Sequence, residues 1–160
     1  MMTARAPQLA LRLDAAPPDP ALRWHDGAAL AFLGGTLTLR LDSAAREAAL
    51  EGEQLHLPLP PQATPRQIRD RAEAWLRDAA YSRLSEILVR KSTAAGRRPP
   101  GLALSFAARG HWAEPREDGS LRCNWRLIEQ PLPVIEQVLG RAVTALPAEH
   151  AEDDLFAAPA

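Results

Sequence analysis

Over residues 9–59, apolar and polar positions alternate in short runs. Leu9, Leu11 and Leu13 fall on one face of an extended segment, as do Leu37, Leu39 and Leu41, and then Leu55, Leu57 and Leu59, because successive side chains of a strand point to opposite faces. Asp26-Gly27, Gly34-Gly35 and Glu51-Gly52 lie between these runs, where glycine reaches positive φ without steric cost. The pattern predicts an antiparallel β-meander for the first third of the chain.

The period changes at Thr64-Pro65-Arg66-Gln67. A Thr N-cap, a Pro at the first helical position and a Gln at the third form a capping-box start. Ile68, Ala72, Trp75, Leu76, Ala79, Ala80, Leu84, Ile87 and Leu88 then recur at three- and four-residue steps, which predicts a long amphipathic helix. Arg69, Arg71, Glu73, Arg77 and Asp78 form its solvated face, and Gly96 with Pro99-Pro100 ends it. LALSF (residues 102–106) and SLRCNW (residues 120–125) predict a hairpin that turns at Asp118-Gly119. A second helix is expected after Pro131-Leu132-Pro133, with Val134, Ile135, Val138, Leu139, Ala142, Val143 and Leu146 on one stripe and Pro147 as its stop. The expected organisation is a flexible N-terminus over residues 1–8, one domain over 9–147, and an acidic C-terminal tail over 148–160 anchored by Leu155 and Phe156.

A chain of 160 residues is one ordinary domain. Its formal net charge of -1 offers no global field for nucleic acid or an acidic membrane. Cys123 is the only cysteine, which excludes an internal disulfide and zinc sites built from several thiolates. The apolar stretch of MMTARAPQLALRLD is broken by Arg12 and Asp14, so no secretory leader is expected, and no run is long enough to span a bilayer. The expected location is the cytoplasm.

The chemistry-bearing residues are scattered. His25, His56, His111 and His150 are far apart, and none has a partner at the spacing of a metal-binding helix. His150 is the least isolated candidate, with Glu149, Glu152 and Asp153 as neighbours. Arg90, Lys91, Arg97 and Arg98 form a local basic cluster near the end of the long helix. It could touch a phosphate backbone, but a helix C-terminus favours cations by its dipole alone. Ser43, Ser82, Ser85, Ser92 and Cys123 lack the context of an activated nucleophile.

Four blocks carry a family resemblance: RWHDGAALAFLGGTLTLRL (residues 23–41), LHLPLPPQATPRQIRDRAEAWLRDAA (55–80), RRPPGLALS (97–105) and GSLRCNWRLIEQPLPVIEQVL (119–139). In this order they resemble the YgjP-like metal-dependent hydrolases, the Asn124-Trp125-Arg126-Leu127 block with Pro131 and Val134-Ile135 being the most specific. The resemblance implies an α+β, zincin-like fold related to the SprT-like proteases. It also implies a zinc ion held by His-Glu-x-x-His on the last helix and by a third His downstream. The helix aims two imidazoles at the metal, and the Glu serves as general base for the metal-bound water.

Carried over without gaps from Val134-Ile135, those three positions fall on Arg141, Ala142 and Ala145, with His150 near the third ligand. A guanidinium cannot ligate zinc at neutral pH, and a methyl group has no lone pair. The family's Arg-Trp-Gly-Ser-Cys-like stretch reads His111-Trp112-Ala113-Glu114-Pro115 here. No zinc or other cofactor is expected. The first functional expectation is therefore a catalytically inactive relative that keeps the scaffold, with Trp112, Asn124, Trp125, Arg126 and Arg141 as candidates for binding a peptide or protein in the former cleft. Within it, Arg141 could pair with Glu136 or hold an anion, and the strand around Asn124 could offer a peptide-binding edge. An active hydrolase with a rearranged site using His150 is the alternative. A nucleic-acid-associated protein using the Arg90 to Arg98 cluster comes third.

Overall fold

A computed structural model describes residues 19–147. The expected strand at Leu9 to Leu13, the flexible start and the acidic tail with His150 lie outside the described residues. Asp19 caps a single helical turn, α1 (Pro20–Arg23), its carboxylate accepting from the Ala21 amide at 3.0 Å. The first sheet holds β1 (Ala29–Phe32), β2 (Gly35–Leu41), β3 (Ala49–Glu51) and β4 (Gln54–Leu57). Its order is β1-β2-β4-β3.

β1 and β2 form the expected antiparallel pair, but β2 and β4 run parallel, with Leu39 opposite Leu55. The meander is therefore not purely antiparallel. The reason lies in burial: β3 is exposed along its whole length, whereas Leu55 and Leu57 of β4 are fully buried. Placing β4 inside and β3 at the rim covers the apolar strand, and the antiparallel β3–β4 hairpin then leaves β4 parallel to β2.

Leu33 and Gly34 turn the chain between β1 and β2, with φ of 50° and 79°, both positive as a type I′ hairpin turn requires. The turn is pinned to the far side of the core. The Leu33 amide donates to the Ile128 carbonyl at 2.7 Å and the Gly34 amide to Glu129 at 3.0 Å. A Cβ on Gly34 would lie 2.8 Å from Cα of Pro131.

The long helix, α2, spans Pro65–Ala94. Its capping box is complete: the Gln67 amide donates to the Thr64 hydroxyl at 3.2 Å, and the Thr64 amide to the Gln67 side chain at 2.8 Å. Ile68, Ala72, Leu76, Ala80, Leu84, Ile87 and Leu88 are buried as the stripe requires. Trp75 meets Phe32 of β1 with ring centroids 5.4 Å apart, joining helix to sheet.

The second sheet, β5 (Leu102–Ser105), β6 (Ala113–Pro115) and β7 (Leu121–Asn124), is ordered β5-β7-β6. The expected hairpin between the LALSF and SLRCNW segments is replaced by a parallel β5–β7 pair. The Asp118-Gly119 turn instead joins β7 to β6, a strand too short and too polar to show alternation. At that turn the Ser120 hydroxyl and amide donate to Asp118, holding its carboxyl below the ordinary value. A 3₁₀ turn, Trp125–Glu129, follows β7 and buries Trp125, Leu127 and Ile128. The last helix, α3 (Leu132–Ala145), packs on α2 and β6. The buried apolar residues of both sheets and helices form one cluster. No helix among the described residues is long and apolar enough to cross a membrane.

Candidate functional site

α3 exists where the sequence places it. Ile135, Leu139, Ala142 and Val143 are buried, while Arg141 and Ala145 are exposed. Positions 141 and 145, one helical turn apart, share the outer face, and Ala142 lies on the inner one at 5% exposure. Glu136 pairs with Arg90 at 3.4 Å, not with Arg141. Arg141 has no ion pair among the described residues.

The basic cluster is drawn into holding α3. The Arg97 guanidinium donates to the carbonyls of Val143 at 2.9 Å and Leu146 at 3.0 Å, at a helix end where carbonyls run short of intrahelical donors; the Val143 carbonyl also accepts from the Leu146 amide at 3.2 Å. The aliphatic stem of Lys91 lies 3.9 Å from where a Cβ of Gly140 would stand.

Asn124 and Trp125 do not form an exposed edge. β7 is the central strand, paired on both sides, so the outer strands of this sheet among the described residues are β5 and β6. The buried Asn124 side chain donates to the Ala107 carbonyl at 2.9 Å and accepts from the Arg126 amide at 3.0 Å, which starts the 3₁₀ turn. Its backbone amide donates to the Trp112 carbonyl at 2.8 Å. Trp112 itself is 41% exposed beside β6.

Trp125 and Arg126 do border a concavity, a pocket of about 270 Å³ between α1, α2 and the 3₁₀ turn. Its rim carries Arg23, Arg69 and Arg126 with Glu73 and Glu129. Trp24, Leu30, Leu76 and Trp125 supply an apolar floor. The Arg126 guanidinium lies 4.7 Å above the Trp125 ring and 3.4 Å from Glu129. Arg23 lies 5.4 Å above Trp24, a cation over an aromatic face in each case.

A family model described as YgjP-like, metallopeptidase domain, matches residues 7–139. The chain belongs to the YgjP-like family. No curated protein and no solved structure matches it.

The YgjP-like match stops two residues short of Arg141. Tested against zinc, the residues at 141, 142 and 145 do not fit: a guanidinium offers only donors, and two methyl groups offer nothing. Among the described residues, no three His, Cys, Asp or Glu side chains come together as a metal site would need. His25 contacts the Asp26 carbonyl at 2.8 Å, His56 sits between Asp42 at 3.6 Å and Glu51 at 3.5 Å, and His111 is exposed.

Sequence reasoning missed Arg23, Glu129 and the gathering of Arg69 and Glu73 around the pocket. On the helix pattern, Arg69 and Glu73 are solvated-face residues, and they do pair at 3.7 Å as an i,i+4 couple. The nearest local signal was the Arg126–Glu129 spacing of three in WRLIE; nothing local ties either residue to Arg23.

Proposed function

We propose that this YgjP-like chain is a catalytically silent member of its family, a zincin-like scaffold related to the SprT-like proteases, kept for binding a peptide or protein in the cytoplasm. One observation carries it. The helix to which the register carried over from Val134-Ile135 assigns the family's metal ligands is formed here, with its Pro start, buried stripe and arginine cap, while Arg141, Ala142 and Ala145 supply no metal donor and no base. On that register the side chains that pack are kept, and those that would ligate are replaced.

Peptide binding draws its support from β6. This outer strand packs beside α3, whose Val134, Arg141 and Ala145 are exposed. An extended segment added to a free strand edge gains main-chain hydrogen bonds without any metal. A nucleic-acid role is disfavoured because Arg90 and Arg97 are engaged by Glu136 and by the end of α3.

Metal analysis of protein purified without a metal-binding tag tests the proposal. Folded protein with no stoichiometric zinc is the expected result. About one tightly held zinc per chain, or peptide cleavage abolished by a chelator, would overturn it in favour of a rearranged site.

A further inference from the structure

The pocket between α1, α2 and the 3₁₀ turn contains more cationic capacity than the fold uses. Three guanidiniums, Arg23, Arg69 and Arg126, face two carboxylates, Glu73 and Glu129, so the lining carries a formal charge of +1. The internal pairs are loose: Arg126 to Glu129 is 3.4 Å and Arg69 to Glu73 is 3.7 Å, against roughly 2.7–2.9 Å for a tight charge-assisted hydrogen bond. Arg69 is also engaged by Asp70 at 3.2 Å, a residue outside the lining. Arg23 has no ion pair among the described residues, and its guanidinium lies over the face of Trp24.

Each guanidinium has five N–H donors in a planar fork that matches two oxygens of a carboxylate or phosphate. Arg126 spends one nitrogen on Glu129, and Arg23 spends none on any side chain among the described residues. Below them, Trp24, Leu30, Leu76 and Trp125 are buried and apolar, which weakens solvent screening of a charge held above that floor. The volume of about 270 Å³ admits a phosphate-sized group with a small body attached.

We infer that this pocket binds a small ligand through a compact oxyanion, a phosphate or a carboxylate, gripped between Arg23 and Arg126. Glu73 and Asp70 hold Arg69, and Glu129 holds Arg126, when the pocket is empty, and the charge of Arg23, which none of these carboxylates pairs, is what one oxyanion neutralises. The site is built by α1, the first half of α2 and the 3₁₀ turn, so it stands whether or not α3 has lost its metal.

Titration with sodium phosphate, and separately with sodium acetate, at ionic strength held constant by sodium chloride, tests the inference through tryptophan fluorescence and calorimetry. Trp24 and Trp125 place two reporters in the pocket. A saturable response to at least one anion is expected. Response to phosphate alone assigns a phosphate-bearing ligand, and response to acetate a carboxylate. Arg23→Ala is expected to weaken binding about tenfold, the effect of losing one charge-assisted contact; it removes no side-chain hydrogen bond among the described residues. Arg83→Ala, which alters an exposed pair with Glu86, is expected to change nothing. The inference fails if neither anion saturates, if Arg23→Ala binds like the parent, or if Arg83→Ala weakens binding equally.

Discussion

Arg97 closes the C-terminal end of α3 by donating to the carbonyl of Val143 at 2.9 Å, and the same guanidinium nitrogen reaches Leu146 at 3.0 Å. The contact ties the segment after α2 to the end of α3, 46 residues away in sequence. Because the group is partly buried, removing it leaves two carbonyls without this donor. Arg97→Met, which keeps the stem, is expected to destabilise the fold by about 1–3 kcal/mol, the range for hydrogen bonds from a charged donor. Urea denaturation should show a lower midpoint with an unchanged slope. A midpoint equal to the parent's would mean that the carbonyls are equally well served by water.

Gly34 occupies a position that only glycine fits. It stands at φ 79°, and an added Cβ would approach backbone of Pro131 to 2.8 Å, an atom that cannot swing aside. Gly34→Ala is expected to cost about 2 kcal/mol or more, from left-handed strain and overpacking together. Thermal unfolding measures it. A control at Gly52, also at positive φ but with nothing within 4 Å of an added Cβ, should lose only the strain component. Equal losses at both sites would remove the Pro131 contact from the account.

Ser92 is fully buried on α2, and its hydroxyl has no hydrogen-bond partner among the described residues. An unpaired buried hydroxyl costs free energy that a methyl group does not, and alanine is the better helix former. Ser92→Ala is therefore expected to stabilise the protein by about 1 kcal/mol, read as a higher denaturation midpoint. Destabilisation would mean that the hydroxyl does find a partner in solution.

Burial pushes the Cys123 thiol from 9.0 up to about 12, because the thiolate would lose its hydration. The folded state thus holds its proton where the unfolded chain gives it up. The contribution is intact below pH 9 and is lost as pH rises from 9 towards 12, at about 1.4 kcal/mol per pH unit. Cys123→Ala should flatten the fall of stability above pH 9 by that slope, whatever it costs in packing at neutral pH. A thiol reagent at pH 8 should label the parent only in denaturant; prompt labelling of folded protein would contradict the buried placement.

The elements written locally were legible and those set by partnership were not. Thr64, Pro65 and Gln67 announce the start of α2 because a capping box lies within four residues, and the buried stripe from Ile68 to Leu88 follows from helical period alone. Alternation in β2 and β4 gives the face each leucine takes, but not which strand lies beside it or in which direction, so the parallel pairing was invisible. β3 and β6 have three residues each and bury none, leaving no apolar signal to read. The candidate site divides in the same way. Trp125 and Arg126 were singled out by family resemblance, whereas Arg23 and Arg69 join them only through the packing of three distant segments.

Arg141 and Ala145 provide the sharpest test of the family register. Both are exposed and one turn apart, the spacing that lets two imidazoles reach one ion. The double change Arg141→His with Ala145→His is expected to create zinc binding that the parent lacks, seen as a zinc-dependent rise in unfolding temperature. If the register carried over from Val134-Ile135 is right, His150 completes the set. Adding His150→Ala to the double variant should then weaken zinc binding by about tenfold or more, the worth of one ligand at about 1.4 kcal/mol per decade. An identical zinc response with and without His150 would break the register at that point and leave only a generic two-histidine site. Since Ala142 can neither accept nor deliver a proton, the double variant should hold zinc without cleaving peptides, and cleavage by it would require a general base that the family register does not supply.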